Sequence, residues 1–271
     1  MKNAERLLDD SFVVLNGDIF TDLDLRGMMR QHRRSEAMAT LALTAVDDPS
    51  AYGVVETDSP GMVTRFVEKP GPDRVTTNMV NAGIYILEPD VLHHITAGAF
   101  SMFERDVFPA LLDRGAMLSS FHSHGYWIDM GTPGKYLRLH HDLLSRSEGN
   151  GVHLDGESQV DPSARIEGSV VIGTGCSIGR DCTVRGPAVL GAGCRIQAEA
   201  VIEGAVLWHD CSVGKRARLT NCLVASGCHI GEESEVAAGC VLGDDVVIEK
   251  GGRLSSGVKV WPTGWCESDT T

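Results

Sequence analysis

The first half of the chain combines short apolar runs with one clear amphipathic segment. The apolar runs predict strands over residues 13–15, 41–46, 52–56, 63–67 and 84–87. Residues 24–34 are predicted to form a helix, because acidic residues stand at the start and basic residues at the end, as the helix dipole favours. The run 13–15 leads directly into Asn16, Gly17 and Asp18, which is typical of a strand buried on both faces of a parallel sheet. We therefore expect an α/β domain with Asp18 at the carboxyl edge, where ligands bind in such sheets.

A second helix is predicted to begin at Pro133, with Thr132 as its N-terminal cap. Residues with helical spacing follow, namely Tyr136, Leu137, His140, Leu143 and Leu144. The Gly-Asn-Gly sequence at 149–151 is expected to end this helix. We therefore predict two domains, 1–150 and 151–271, the second ending in a short C-terminal tail.

From Val160 onward, aliphatic residues recur every six positions. Eighteen of them keep this spacing with two one-residue slips: Val160, Ile166, Ile172, Ile178, Val184, Leu190, Ile196, Ile202, Leu207, Val213, Leu219, Val224, Ile230, Val236, Leu242, Ile248, Leu254 and Val260. Glycine follows several of them, as in Ile172-Gly173 and Leu242-Gly243. Such a repeat predicts a β-helix, and it resembles the left-handed hexapeptide β-helix in particular.

Seven of the eight cysteines fall in the same register. Each lies two residues before a repeat aliphatic: Cys176, Cys182, Cys194, Cys211, Cys222, Cys228 and Cys240. Alanine occupies this position in other repeats, for example at Ala164 and Ala188. Because free cysteine packs as a small hydrophobic residue, we predict that these thiols fill the core rather than bind metal or form disulfides.

Charge and composition narrow the range of partners. The 271 residues carry a formal net charge of -13, with 14 Lys and Arg against 21 Asp and Glu in 1–150, and 10 against 16 in 151–271. An evenly acidic surface argues against binding to nucleic acid or to anionic membranes. The sequence shows no bilayer-spanning apolar stretch and no signal peptide, so we expect a cytoplasmic protein.

Five short segments of the first half are candidates for chemistry: 15–18, 52–55, 66–70, 81–85 and 126–133. Each is weak alone, since Asp18 is compatible with a turn and Glu68 with a solvated strand end. In this order, and followed by a β-helix, they resemble the sugar-1-phosphate nucleotidyltransferases, also called NDP-sugar pyrophosphorylases. The sequences at 66–70, 81–87, 104–109 and 127–132 are most similar to mannose-1-phosphate guanylyltransferases.

The resemblance implies a Rossmann-like domain that joins a nucleoside triphosphate to a sugar-1-phosphate and releases pyrophosphate. It assigns Asp18 and Asp129 as catalytic carboxylates that hold Mg²⁺, an ion that prefers oxygen ligands. GTP with mannose-1-phosphate is the first expected substrate pair. A glucose-1-phosphate thymidylyltransferase or uridylyltransferase is the alternative.

The same resemblance assigns the sugar side of the site. Glu68 and Asn81 are expected to hydrogen-bond sugar hydroxyls, and Lys69 to contact the sugar or its phosphate and act in catalysis. Gly53 would allow the backbone to approach the sugar closely.

One family motif has no counterpart among these residues. The glycine-rich loop of the form G-x-G-T-R, followed later by P-K, is absent, and the nearest segments, 71–74 and 173–175, lie in other contexts. We therefore expect an incomplete nucleotidyltransferase domain, poor nucleotide binding and little pyrophosphorylase activity of this chain. The strand 13–15 is expected to have an unpaired edge, open to aggregation or to a partner.

Two other classes of protein remain open. Hexapeptide β-helices host acyltransferases with a histidine base, for which His153, His209 and His229 are the candidates, although a lone histidine on a turn is usually only solvated. A non-catalytic regulatory or assembly subunit is the other alternative. A homo-oligomer formed through the β-helix is expected, with Trp208, Trp261 and Trp265 either in the contact or packed at its corners and end.

Overall fold

The computed structural model describes residues 1–146 and 151–266, which fall into two compact units, Met1–Asp129 and Met130–Thr271. The helix that follows Asp129 belongs by its contacts to the second unit. The predicted boundary at 150 and most of the Gly-Asn-Gly stop at 149–151 lie outside the described residues, as does the predicted C-terminal tail.

The first unit contains eight strands and two helices. These are β1 (Phe12–Leu15), β2 (Ile19–Thr21), α1 (Leu25–Ser35), β3 (Ala39–Ala45), β4 (Gly53–Thr57), β5 (Val63–Glu68), β6 (Met79–Leu87), α2 (Phe108–Asp113), β7 (Leu118–His122) and β8 (Trp127–Asp129). The main sheet has the order β5-β4-β6-β3-β7, with β1 paired to β6, while β2 and β8 form a separate pair. Only β3 and β7 run parallel among these pairs, so the sheet is mixed.

The central strands β3 and β6 hold the core of this unit. Their residues are almost all buried, and Leu41, Tyr85 and Phe108 belong to one apolar cluster. Helix α1 begins where the Asp24 carboxylate accepts a hydrogen bond from the Gly27 N–H at 2.8 Å, as an N-terminal cap does. The predicted helix and the five predicted strands are present, with each end within five residues of the predicted one. No prediction corresponds to β2, β7, β8 or α2.

The prediction that residues 13–15 are buried on both faces of a parallel sheet is wrong. Strand β1 pairs antiparallel with β6, and it pairs with no other strand of the described residues. Val13 and Leu15 are 41% and 57% exposed, whereas their neighbours in the strand are half-buried. A three-residue apolar run carries no alternation, so the sequence does not distinguish one buried face from two.

The second unit opens with the predicted helix, α3 (Pro133–Arg146), and Thr132 caps it through Oγ1 and the Lys135 N–H at 3.4 Å. The rest is a parallel β-helix of about six turns built from three sheets. The first sheet holds β10 (Gln159–Val160), β13 (Ser177–Ile178), β16 (Arg195–Ile196), β19 (Ser212–Val213), β22 (His229–Ile230), β25 (Val247–Ile248) and β28 (Trp265–Cys266). The second holds β11 (Arg165–Glu167), β14 (Thr183–Arg185), β17 (Val201–Glu203), β20 (Arg218–Thr220), β23 (Glu235–Val236) and β26 (Arg253–Leu254). The third holds β9 (Val152–Leu154), β12 (Val170–Ile172), β15 (Ala188–Leu190), β18 (Val206–Leu207), β21 (Leu223–Val224), β24 (Val241–Leu242) and β27 (Lys259–Val260).

The hexad and its slips are both explained by this coil. Every repeat aliphatic from Ile172 to Leu254 is buried, and the three at the ends pack partly buried against the same core. Both slips fall at the same corner, between the second and third sheets, in successive turns of the coil. The shorter corners leave the inward register of the strands unchanged, since Ile202 still leads to a buried Leu207.

The cysteine position also packs as predicted. All seven repeat cysteines are buried in the β-helix core, together with Cys266. The Cys194 thiol donates to the Trp208 carbonyl and the Cys211 thiol to the Ala225 carbonyl, each at 3.1 Å. Burial raises the pKa of the Cys222 thiol to about 12, which keeps it protonated and unreactive at neutral pH.

Candidate active site

A cavity of about 200 Å³ in the first unit brings together all six residues singled out from the sequence. We call it the Asp18 cavity. Its lining consists of Asn16, Asp18, Ile19, Ala51, Tyr52, Gly53, Glu68, Lys69, Asn81, Gly83, Met102, Glu104, Trp127 and Asp129. These residues come from five strands, the turns beside them and a π-helical turn over Phe103–Val107, so the convergence is a property of the fold and not of any one segment.

Gly53 and Glu68 face each other across the antiparallel pair of β4 and β5. A Cβ atom at Gly53 would lie 2.8 Å from Glu68 Oε2 and 2.8 Å from Phe66 Cζ. The Glu68 carboxylate therefore occupies space that any other residue at position 53 would fill. Glycine is needed here because the carboxylate of the neighbouring strand lies so close, and the expected approach of a sugar to Gly53 stays a prediction.

Lys69 has left-handed backbone geometry, with a φ of 45°. Successive residues of a regular strand point to opposite faces, so Glu68 and Lys69 would normally diverge. The left-handed turn at the end of β5 brings both onto the Asp18 cavity. Such a conformation is costly for a residue other than glycine, and strain of this kind concentrates at functional sites. A hydrogen bond from the Lys69 N–H to the Tyr52 carbonyl at 3.1 Å holds it.

Strand β6 supplies Asn81 beside a backbone irregularity. The register against β3 shifts between Leu41 and Leu43, and Gly83 on the facing segment has a φ of 73°. A Cβ at Gly83 would lie 2.7 Å from Asn16 Nδ2, so glycine lets the Asn16 side chain lie against β6. The Asn16 N–H donates to the Gly83 carbonyl at 2.9 Å, which ties the turn after β1 to the cavity wall.

A buried tyrosine connects Asn81 to Glu104. The Asn81 side-chain N–H donates to the Tyr85 hydroxyl oxygen at 2.6 Å, and the Tyr85 O–H donates to Glu104 Oε1 at 2.7 Å. Asn81 Oδ1 accepts from the Gly83 N–H at 3.1 Å, which fixes the orientation of the amide. Burial, reinforced by the Glu104 charge, raises the pKa of Tyr85 well above its usual value, so the phenol remains a donor at neutral pH.

Asp18 and Asp129 reach the cavity through the pair of β2 and β8. Ile19 lies opposite Asp129 in this antiparallel pair, which places Asp18 beside the same end of the ribbon. The Trp127 indole N–H donates to the Ala82 carbonyl at 2.9 Å and so attaches β8 to β6. Trp127 also contacts Tyr52 edge to face, with ring centroids 5.5 Å apart. Two carboxylates far apart in sequence are thus held on one wall.

The charges in the Asp18 cavity are unbalanced. Four carboxylates line it, from Asp18, Glu68, Glu104 and Asp129, against the single ammonium of Lys69. Within residues 1–146 and 151–266, no hydrogen bond or ion pair is made by the side chains of Asp18, Glu68 or Lys69. Charged groups without partners at the wall of a cavity leave their hydrogen-bonding capacity to a ligand.

The donor set fits a hard cation. Asp18 and Asp129 offer carboxylate oxygens only, and Mg²⁺ is typically held by one or two carboxylates with the remaining positions left to phosphates and water. No group of three or more His, Cys, Asp or Glu side chains in the described parts of the chain is placed to hold a metal ion.

Several lining residues were not assigned from the sequence. Asn16 and Tyr52 lie inside motifs quoted for the resemblance, and Glu104 opens the segment 104–109, yet none received a role. Met102 and Glu104 come from a π-helical turn over Phe103–Val107 and its flank, which no periodicity predicts. The sequence does carry one signal for Glu104, since it lies in a segment similar to known enzymes.

The histidines and tryptophans considered for the acyltransferase and subunit alternatives do not line the Asp18 cavity. His153, His209 and His229 are all exposed and lie outside the Asp18 cavity, and His153 pairs with Asp155 at 2.9 Å. Trp261 and Trp265 are 85% and 63% exposed, which contradicts packing of these two rings at the end of the β-helix. Trp208 is 43% exposed and contacts the Tyr136 ring, with centroids 6.3 Å apart, so it does pack at a corner.

Comparison with known proteins places this chain in a class. Its residues 1–146 match the family model described as nucleotidyl transferase, and residues 150–254 match the EIF2B subunit epsilon LbH domain, where LbH denotes a left-handed β-helix. The resemblance predicted a Rossmann-like nucleotidyltransferase domain followed by a left-handed β-helix, and the two matched models follow in that order. The chain belongs to the nucleotidyl transferase family.

Individual relatives narrow the comparison. A probable mannose-1-phosphate guanylyltransferase 3 of Oryza sativa subsp. japonica is 35% identical over 247 residues, covering 84% of this chain and 67% of the relative. The mannose-1-phosphate guanylyltransferase of Mycobacterium tuberculosis is 37% identical over 186 residues, covering 65% and 51%. A UTP–glucose-1-phosphate uridylyltransferase of Synechocystis sp. is 34% identical over 241 residues, covering 80% and 59%. The matched region thus spans between half and two thirds of these relatives.

No helix in the described residues has the length and apolar character needed to cross a membrane.

Proposed function

We propose that this chain transfers a nucleotidyl group from a nucleoside triphosphate to a sugar-1-phosphate, with release of pyrophosphate. The observation that carries this proposal is the convergence of Asp18, Glu68, Lys69, Asn81 and Asp129 on one cavity. In this reaction a phosphate oxygen of the sugar attacks the α-phosphorus, and the protein contributes mainly position and neutralisation of charge.

Asp18 and Asp129 are proposed as the ligands of Mg²⁺. Bound there, the ion would neutralise phosphate charge that the cavity, rich in carboxylates, would otherwise repel. The Lys69 ammonium is the one cationic side chain of the lining, and we assign it to the phosphate of the sugar-1-phosphate. Its left-handed backbone supports this role, because it turns the lysine toward the same space as Glu68.

Glu68 and Asn81 are proposed to bind the sugar ring. A carboxylate accepts two or more hydrogen bonds, and a fixed amide both donates and accepts, which suits the hydroxyls of a pyranose. Gly53 contributes by leaving room for Glu68. The predicted contact between the Gly53 backbone and the sugar remains part of this proposal.

Mannose-1-phosphate with GTP is the substrate pair that we propose first. The rice and mycobacterial relatives carry this activity in their names, and they match at 35% and 37% identity. The Synechocystis relative carries a glucose-1-phosphate uridylyltransferase name at 34% identity, so UTP with glucose-1-phosphate is the second candidate.

The test is product formation from matched substrate pairs. The chain is incubated with Mg²⁺ and GTP plus mannose-1-phosphate, or UTP plus glucose-1-phosphate, and NDP-sugar is measured by chromatography. Because G-x-G-T-R is absent from these residues, we expect a high KM for GTP and low turnover, so GTP is varied into the millimolar range. GDP-mannose that disappears in Asp18→Asn supports the proposal. No NDP-sugar from either pair at any concentration contradicts it.

Self-association and cellular location remain predictions. A homo-oligomer through the β-helix is supported by Trp261 and Trp265, which leave large apolar rings exposed in the second unit. Light scattering behind size-exclusion chromatography tests it, and a monomer at all concentrations would refute it. The expected cytoplasmic location rests on the sequence alone.

A further inference from the structure

We propose that Glu104 is a second sugar-binding carboxylate and that Tyr85 is the residue that positions both Glu104 and Asn81 for the sugar. This inference rests on the proposed sugar-1-phosphate function and extends it to residues that carry no assignment. The observation behind it is the chain of hydrogen bonds from Asn81 through the buried Tyr85 hydroxyl to Glu104.

The geometry leaves one free group on each side of the phenol. Tyr85 occupies Oε1 of Glu104, and Oε2 makes no hydrogen bond to any residue in the described ranges. Tyr85 likewise takes one N–H of the Asn81 amide, whose carbonyl oxygen is held by the Gly83 N–H. The Asp18 cavity is therefore lined by an amide donor and a carboxylate acceptor that are bound to the same oxygen atom.

A neighbouring donor and acceptor match the chemistry of a sugar ring. Each hydroxyl of a pyranose can both donate and accept a hydrogen bond, so adjacent hydroxyls can donate one to Glu104 and accept one from Asn81. A site built to hydrogen-bond a hydroxyl discriminates strongly against an analogue that lacks it, because the group of the protein is left unpaired. We therefore expect the pair to favour sugars that carry two adjacent hydroxyls at the positions it contacts over analogues that lack either one.

Tyr85 is suited to fix this pair. Its side chain is fully buried, and its ring packs against Phe103 and Phe108 with centroids 5.8 Å and 5.0 Å away. A phenol held by aromatic packing cannot follow its partners, so Asn81 and Glu104 must come to it. Burial and the Glu104 charge raise the pKa of Tyr85, which keeps its proton directed at the carboxylate.

Two substitutions separate binding from positioning. Glu104→Gln keeps an oxygen for the Tyr85 hydroxyl but presents an N–H in place of the free acceptor. Tyr85→Phe keeps the ring and removes the hydroxyl that holds both partners. Tyr136→Phe, in α3 of the second unit, is the matched control for loss of a tyrosine hydroxyl.

The experiment measures the dissociation constant of mannose-1-phosphate by calorimetry with Mg²⁺ present, together with KM and kcat where turnover is detected. We expect Glu104→Gln to weaken sugar-phosphate binding roughly 10- to 100-fold and leave KM for GTP within about twofold. Tyr85→Phe should weaken the same binding by a similar factor, while Tyr136→Phe should change it by less than about twofold. Thermal melting of each variant verifies that it is folded.

Deoxy analogues of mannose-1-phosphate provide a readout that a structural role would not change. Removing the hydroxyl that contacts Glu104 should weaken binding to the unsubstituted chain and have almost no further effect in Glu104→Gln, because the contact is already lost. Penalties at the other positions should persist in the variant. Undiminished penalties at every position would overturn the inference.

The two proposals fail differently. If the unsubstituted chain binds no sugar phosphate, the proposed function fails. If the unsubstituted chain binds mannose-1-phosphate and Glu104→Gln binds it equally well, only the role of Glu104 is refuted.

Discussion

Gly53→Ala perturbs the proposed sugar site by a single methyl group. The added carbon would lie 2.8 Å from both Glu68 Oε2 and Phe66 Cζ. Non-bonded carbon atoms pack at about 3.5–4.0 Å, so the carboxylate must retreat by at least about half an ångström. The Phe66 ring belongs to the core packing of the first unit and is less free to move than Glu68. We therefore expect the carboxylate to leave its position.

The size of the effect follows from the contact that is lost. A hydrogen bond to a charged group contributes about 1.5–3 kcal/mol, and about 1.4 kcal/mol corresponds to a tenfold change in affinity. Gly53→Ala should therefore weaken mannose-1-phosphate binding by about 10- to 100-fold. The free energy of unfolding should fall by no more than about 2 kcal/mol, because overpacking is partly offset by the lower chain entropy of alanine.

Calorimetric titration with mannose-1-phosphate measures the affinity, and thermal melting measures the stability. Gly71→Ala is the matched control, because a Cβ at Gly71 meets nothing within 4 Å and the residue has no left-handed geometry. We expect that variant to bind as the unsubstituted chain does. Equal affinity of Gly53→Ala and Gly71→Ala for mannose-1-phosphate would refute the idea that Gly53 leaves room for the Glu68 carboxylate to bind the sugar.

Three further predictions concern the metal pair, the thiols and the β-helix core. Asp18→Asn and Asp129→Asn should each weaken Mn²⁺ binding, measured by electron paramagnetic resonance, by at least about tenfold. Burial raises the pKa of Cys222 from 9.0 to about 12, so this proton leaves the unfolded chain at a lower pH than the folded chain. The stability that the Cys222 thiol contributes should be constant below pH 9 and fall from pH 9 to 12, so the alkaline loss of stability should be less steep in Cys222→Ala. Leu219→Ala should lower the free energy of unfolding by about 2–5 kcal/mol, because Leu219 is fully buried, whereas Leu154→Ala, at a position 48% exposed, should cost less than about 1 kcal/mol.

Each of these has a distinct contrary outcome. Unchanged Mn²⁺ binding in both asparagine variants would show that the cation is not held by Asp18 and Asp129. Identical alkaline melting curves with and without the Cys222 thiol would show that its ionisation is not linked to unfolding. Equal destabilisation by Leu219→Ala and Leu154→Ala would contradict the burial of Leu219 in the interior of the coil.

The β-helix could be predicted almost completely from the sequence. Its inward positions recur every six residues, and each turn of the coil repeats the same local packing, so the pattern alone predicts which side chains are buried. The sequence shows the two slips only as spacings of five residues in place of six. That both fall at one corner of the coil depends on the three-sheet arrangement, which the hexad does not specify by itself.

The first unit was less accessible to sequence reasoning. The apolar runs predict five of its eight strands and miss β2, β7 and β8. They place β1 in a parallel, doubly buried position, whereas it lies antiparallel to β6 with Val13 and Leu15 exposed. Strand partners depend on contacts between distant residues, which a short apolar run does not encode. The six site residues came from ordered motifs and share one cavity. Glu104 lies in a segment similar to known enzymes, but its place beside Asn81 depends on the hydrogen bonds of Tyr85, which the sequence does not show.

The account depends most directly on whether the Asp18 cavity binds a sugar-1-phosphate. The decisive measurement is titration of the chain with mannose-1-phosphate in the presence of Mg²⁺, repeated with Glu68→Gln. We predict saturable one-site binding that weakens at least about tenfold in Glu68→Gln, because a hydrogen bond between the sugar and a carboxylate is lost. Binding of equal strength in both, or no binding by the unsubstituted chain, would contradict the account.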